Sequence, residues 1–338
     1  MTCNSDPTIA ASLLAGHSLS VVIPFYNEQG NCLALLEELQ QALTNLPCPW
    51  EVICVNDGSR DGTQAELNQA RQQLGGHVVL IQFSRNFGQS AAMQAGIDNA
   101  RGDIIVTLDG DRQNDPADIP AIITELIGKD LDMVAGWRKN RQDSELDRKL
   151  PSRIANLLIR KVTGIDIKDN GCSLKAFRAS VIKQITLMGE MHRFIPAWVS
   201  GVTDPSRIGE LAVNHRARTT GQSKYGLSRT YRVILDLIVV RFFMRFARRP
   251  GHFFGGIGML SGSIGALMLF YLLALKLFTG ADIGGRPLLF TGILLVITSI
   301  QLITTGILSE LQARNKPVHY PTRSATANGD RTWSQHEQ

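Results

Sequence analysis

Between residues 18 and 137 the chain alternates two kinds of pattern. Short uninterrupted apolar runs, LSVVIPF, WEVICVN, HVVLIQF, GDIIVTL and DMVAGW, have the length and continuity of strands buried on both faces. Between them, residues 30–46, 63–74, 89–100 and 118–128 repeat apolar positions at helical spacing. Strand and helix in alternation predict a doubly wound α/β sheet with helices on both sides. Near the C-terminus the pattern changes. Residues 253–275 (FFGGIGMLSGSIGALMLFYLLAL) and 287–309 (PLLFTGILLVITSIQLITTGILS) carry no charge. Each is long enough for the about 20 helical residues that cross a bilayer core. With the short link 279–286 they predict a two-helix transmembrane hairpin, about 253–278 and 287–309. A buried soluble hairpin is the alternative.

Just upstream, Val233, Leu237, Val240 and Met244 form an apolar stripe at helical spacing, while Arg229 and Arg232 fall on one side and Arg241, Arg245 and Arg248 on another. Such a segment, 228–250, fits an interfacial helix on anionic headgroups, with a break or a change of environment inside it. A core helix with solvated arginines fits it too. Arg241, Arg245, Arg248 and Arg249 before the hairpin, and Arg314, Lys316 and Arg323 after it, place both ends on the cytoplasmic side of an inner membrane. The division that follows is an extension (1–17) with no signal peptide, a cytoplasmic catalytic domain (18–227), the interfacial segment (228–250), the hairpin (251–312) and a polar cytoplasmic tail (313–338).

Composition narrows the class. Of 338 residues 44% are apolar and 19% charged, which excludes a disordered or collagen-like chain. Five scattered cysteines without a C-x-x-C pair read as reduced thiols and exclude a disulfide scaffold. A net charge of +5 is modest for a nucleic-acid partner, and none is expected.

Ligands of open α/β sheets bind at the carboxyl ends of the strands. Here four consecutive strand ends carry polar or acidic residues beside a turn former: Pro24-Phe25-Tyr26-Asn27-Glu28, Asn56-Asp57-Gly58-Ser59, Ser84-Arg85-Asn86-Phe87-Gly88 and Asp109-Gly110-Asp111-Arg112-Gln113. Each alone is ordinary turn chemistry; together they indicate one cleft. If residues 109–113 are extended, Asp109, Asp111 and Gln113 share a face and offer hard oxygens to Mg²⁺ or Mn²⁺. No His/Cys cluster suggests zinc.

In order, V-V-I-P-F-Y-N-E, V-N-D-G-S-R-D-G-T, R-N-F-G-Q, G-D-I-I-V-T-L-D-G-D-R-Q-N-D-P and R-T-T-G-Q-S-K-Y resemble the signatures of inverting family-two glycosyltransferases of the GT-A fold. More closely, the chain resembles the polyprenyl-phosphate glycosyltransferases, such as dolichol-phosphate mannose synthases and bactoprenol glucosyltransferases, over about residues 18–312. The resemblance implies a mixed GT-A sheet. It implies that Pro24, Tyr26, Glu28, Val55 and Asp57 line a nucleoside pocket. It places Asp109, Gly110, Asp111 and Arg112 at the diphosphate and metal, with Gln113 completing the coordination, and Arg138 near the phosphates. Arg218 and Lys224 match a basic loop that closes over the donor, although a solvated loop reads the same way.

The reaction so implied is transfer of a sugar from a nucleotide diphosphate sugar to a polyprenyl phosphate. UDP-glucose with undecaprenyl phosphate is favoured, and a GDP-mannose-dependent mannosyltransferase is the alternative. A lipid or glycan acceptor of another kind, and a membrane-tethered nucleotide-sugar-binding scaffold, are further readings. Arg138, Arg141 and Arg153 are candidates to grip the acceptor phosphate, although Arg141 and Arg153 serve equally as surface charges. Asp169 resembles the acidic residue near the acceptor and is the first candidate to orient it or take a residual proton, with Asp111 and Arg138 as further catalytic candidates. As an Asp before Asn-Gly, Asp169 also suits a plain turn. Gly255, Gly256, Gly258, Gly262 and Gly265 allow close helix contact and, with the resemblance, suggest a homo-oligomer, a tetramer in related proteins.

Overall fold

The computed structural model describes residues 13–139, 165, 167–216, 242, 246 and 250–314. Arg141, Arg153, Arg218 and Lys224, and nearly all of the interfacial segment, lie outside the described residues. Strand β1 (Leu19–Phe25) is followed by α1 (Cys32–Leu43), β2 (Trp50–Asn56), α2 (Thr63–Leu74), β3 (Val78–Gln82), α3 (Gln89–Asn99), β4 (Ile104–Thr107), α4 (Ile119–Gly128) and β5 (Met133–Trp137). These are the elements read from the pattern, trimmed by a few residues at their ends. Every residue of β1 is buried, and successive side chains go to opposite sides. Val21, Ile23 and Phe25 join a cluster with Leu35, Leu36 and Leu39 of α1 and Ile122, Ile123 and Leu126 of α4. Val22 joins the other cluster, with Ala92, Met93 and Ile97 of α3. Two covered faces are the reason that the strands read as continuous apolar runs.

Two further strands complete the sheet: β6 (Lys175–Arg178) and β7 (Ile208–Ala212), with the short helices α5 (Ala179–Ile182) and α6 (Ile195–Val199) between them. The order is β3-β2-β1-β4-β6-β5-β7. β6 runs antiparallel between β4 and β5, pairing Lys175 with both Thr107 and Ala135, whereas the other pairings are parallel. The sheet is therefore mixed. Its reversed strand starts at the rim where the parallel strands end, so residues 172–175 stand beside the ends of β4 and β5.

The C-terminal part is a hairpin of two long helices, α7 (Pro250–Thr279) and α8 (Pro287–Arg314). Both are long and apolar enough to cross a membrane. Leu267, Phe270, Leu277, Phe278, Phe290 and Leu294 stand exposed on their outer faces, a surface that suits lipid rather than water. The seam between the helices is lined by small residues: a Cβ on Gly258, Gly262 or Gly265 would press on α8 residues at 3.0 Å or less. Three of the five glycines that suggested self-association thus lie inside the hairpin, and only open space faces Gly255 and Gly256. The ring of Phe242 meets that of Phe253 edge-on, and the ring of Phe246 meets it at a tilt, at the foot of α7.

Candidate active site

The strand-end loops are laced to one another at the carboxyl rim. After β1, the Asn27 N–H donates to Ser59 Oγ at 3.0 Å and the Glu28 N–H to Thr63 Oγ1 at 2.9 Å, both in the segment that follows β2. Asp57, 2% exposed, accepts from the N–H groups of Phe87 and Gly88 at 2.7 and 3.0 Å and from Asn86 Nδ2 at 2.8 Å. Its carboxylate therefore holds the R-N-F-G-Q loop in place. Glycines permit the close approach: a Cβ on Gly58 would lie 2.3 Å from the Arg85 carbonyl carbon, and one on Gly110 would lie 2.6 Å from the Phe25 ring. Of the residues expected to line a nucleoside pocket, Tyr26 stands 42% exposed and Glu28 accepts from Asn31 Nδ2 at 2.7 Å. Pro24 is buried, and the side chain of Val55, 0% exposed, belongs to the core. Any contact of Val55 with a ligand would come from its backbone.

Asp109 and Asp111 are brought together, but not by a pleat. β4 ends at Thr107, Gly110 and Asp111 form a turn, and Arg112 has a positive φ of 59°. The expectation of an extended 109–113 is corrected here: a turn places the carboxylates. Asp111 accepts from the Gln113 N–H at 3.1 Å, a local bond that shapes this turn. Asp109 accepts from Gln89 Nε2 at 2.7 Å, and Ser173, whose Oγ donates to Asn114 Oδ1 at 2.8 Å, lies near it. Its carboxyl is pushed up to about 6, first by burial and then by repulsion from Asp111. A buried carboxylate raised by a neighbouring carboxylate fits a hard divalent cation, so these residues pass as a Mg²⁺ or Mn²⁺ site. Among the described residues no group of three or more His, Cys, Asp or Glu could hold a metal. An ion here would be held by two carboxylates and Gln113, with water or the oxygens of a ligand beside them.

Arg138, at the end of β5, pairs side by side with Asp169: Nε donates to Oδ2 at 2.7 Å and Nη2 to Oδ1 at 2.9 Å. Burial alone would raise the Asp169 carboxyl, but the guanidinium holds it below its ordinary value. An ionised, engaged carboxylate is suited to orienting Arg138 and poorly suited to taking a proton. Beneath the pair lies Lys175, 2% exposed, whose Nζ donates to the Cys172 carbonyl. Burial lowers its affinity for a proton, and the charges of Asp169 and Asp109 work against that. Lys175, Ser173 and Gln89 are missing from the sequence-based site. Gln89 stood in a quoted motif, while Ser173 and Lys175 come with β6, which the hydrophobic pattern does not mark.

Comparison with known proteins places this arrangement. The family model described as glycosyl transferase family 2 matches residues 20–186. A dodecaprenyl-phosphate galacturonate synthase of Rhizobium johnstonii is 54% identical over 296 residues, 88% of this chain and 88% of its own. An undecaprenyl-phosphate 4-deoxy-4-formamido-L-arabinose transferase of Pseudomonas fluorescens is 36% identical over 299 residues, 88% of this chain and 85% of its own. Among solved structures, the glucosyl-3-phosphoglycerate synthase of Mycobacterium tuberculosis, in complex with Mn²⁺, UDP-glucose and phosphoglyceric acid, matches with a TM-score of 0.57 at 16% identity. It covers 72% of this chain and 85% of that one, and at such identity the likeness is one of fold. The sheet is that of a GT-A glycosyltransferase. The chain belongs to glycosyl transferase family 2 and, within it, to the polyprenyl-phosphate glycosyltransferases.

Proposed function

We propose that the chain transfers a galacturonate-type sugar from a nucleoside diphosphate donor to the phosphate of a membrane polyprenol, from the cytoplasmic side. The acceptor class and the sugar rest on the relative at 54% identity, which is named for galacturonate. The names of the relatives point away from glucose, so the expectation of UDP-glucose finds no support in them. The observation that carries the chemistry is the Asp109–Asp111 pair set beside the Arg138–Asp169 pair at one sheet rim.

In glycosyl transfer, negative charge develops on the leaving diphosphate, and catalysis consists in stabilising it. A divalent ion held by Asp109, Asp111 and Gln113 would supply a Lewis acid to that diphosphate. Gln89 fixes the orientation of Asp109. The nucleophile is a phosphate oxygen, and with a second pKa of about 6 it is ionised near neutrality without help from a strong base. The need is instead to bring one anion towards another. Arg138 uses Nε and Nη2 on Asp169, which leaves further N–H donors of the same fork for the acceptor phosphate. Arg141 and Arg153 belong to the same proposal for the acceptor, and Arg218 and Lys224 for the donor. The exposed apolar faces of α7 and α8 hold the domain in the bilayer where the lipid headgroup lies.

The test is a donor panel (UDP-galacturonate, UDP-glucose and GDP-mannose) given to purified protein with and without polyprenyl phosphate. Labelled sugar is expected in the lipid fraction with UDP-galacturonate, only when the polyprenyl phosphate is present. Efficient transfer from UDP-glucose or GDP-mannose instead would overturn the assignment of the sugar. Donor binding without transfer to lipid would favour the scaffold.

A further inference from the structure

Glu38 lies on α1 and has no place in the chemistry described above, yet its carboxylate is shared between two arginines. Oε1 accepts from Arg112 Nη2, and Oε2 from Arg216 Nη1 at 2.6 Å. Arg112 is the residue between Asp111 and Gln113, and its backbone lies in the left-handed region at φ 59°. For a residue other than glycine that conformation is strained and persists only where the surroundings enforce it. Arg216 holds the same turn at two more points. Its N–H donates to the Gln113 carbonyl at 2.8 Å, and its Nη2 lies 2.9 Å from the Asp115 carboxylate. A bridge between Asn114 and His215 joins the two segments between these contacts.

A single half-exposed ion pair adds little. What sets Glu38 apart is convergence. Side chains from α1, from the 109–115 turn and from the segment after β7 meet on one carboxylate, beside a strained residue flanked by two of the proposed ligands. Burial would push the Glu38 carboxyl up, but the bonds from Arg112 and Arg216 hold it below its ordinary value.

We infer that Glu38 is a positioning residue for the cation site: by gripping Arg112 and Arg216 it keeps the 109–115 turn in the conformation that presents Asp111 and Gln113 together with Asp109. The inference rests on the reading of those three residues as the divalent-ion site. Its test is an electron paramagnetic resonance titration of the full-length protein in detergent with Mn²⁺ alone, alongside thermal unfolding. The wild-type protein should bind Mn²⁺, and Asp111→Asn should abolish binding. Glu38→Gln should weaken binding about 10- to 100-fold, as loss of an outer-sphere partner does. Arg216→Gln should weaken it similarly, and the double variant should be little worse than either single one, because both act on one turn. Glu38→Asp, which retains the charge, should recover part of the affinity.

Asp132→Asn serves as the comparison. It breaks an ion pair with Arg207, at 2.8 Å, at the opposite end of β5, and should lower the unfolding temperature without changing Mn²⁺ affinity. Wild-type affinity in Glu38→Gln, or an equal loss in Asp132→Asn, would overturn the role of Glu38 while leaving the cation site intact. Wild-type binding in Asp111→Asn, or no binding by the wild-type protein, would instead overturn the site and the role of Glu38 with it.

Discussion

At the scale of single residues, the rim sorts its carboxylates by partner. Asp169 has a guanidinium against it and is held ionised; Asp109 is raised to about 6, first by burial and then by the carboxylate of Asp111. Two predictions follow from the contrast. Asp169→Asn keeps the shape but strands Arg138, and breaking a buried pair of this kind costs about 3 kcal/mol or more. Lipid-linked product should fall sharply while nucleotide binding persists, and the acid limb of the pH–rate profile should keep its midpoint, since Asp169 does not titrate there. A shifted acid limb in this variant would mark Asp169 as a proton acceptor after all. For Asp109 the sign is opposite. A carboxyl raised from 3.8 to about 6 on folding favours the folded state below pH 4 and loses that contribution as pH rises through 6. In chelator the protein should therefore lose stability over that window, and Mn²⁺ should restore it. The rise in unfolding temperature on adding Mn²⁺ should be larger at pH 7.5 than at pH 5; an equal rise at both would remove Asp109 from the ion's ligands.

Among the elements, the hairpin is the one whose geometry depends most directly on small residues. A Cβ on Gly265 would lie 2.8 Å from the Gly292 carbonyl oxygen and 3.0 Å from Leu295 and Val296, whereas nothing lies within 4 Å of one on Gly256. Gly265→Leu should force the helices apart at the cost of overpacking, about 1–3 kcal/mol, and lower the unfolding temperature in detergent. Gly256→Leu should leave it unchanged. Equal effects of the two would mean that α7 and α8 do not meet along this seam. The strands teach a related lesson about legibility. β1 to β5 announce themselves because both faces of the sheet are covered and most of their positions are apolar. β6 is four residues with a charge at each end, KAFR, and β7 is IGELA, with a glycine and a glutamate inside. Lys175 breaks the pattern because it is a buried lysine near Asp109 and Asp169, a circumstance that depends on partners far off in the chain. Tertiary context overrides local pattern at such places.

For the molecule as a whole, the class was legible for the same reason. Ordered motifs at consecutive strand ends, followed by two uncharged helices, carry both the transferase fold and the membrane hairpin. The pairing of Arg138 with Asp169, the grip of Glu38 on the turn and the turn itself were not legible, because each joins segments that only the folded chain brings together. The reversed strand β6 has a consequence for the order in which the molecule is made. Ser173 and Lys175 leave the ribosome more than 60 residues after Asp109, with the hairpin still to come. A nascent chain stopped before them has an unpaired edge at β4 and an acidic rim without its buried lysine. The candidate site is finished only when synthesis nears the hairpin.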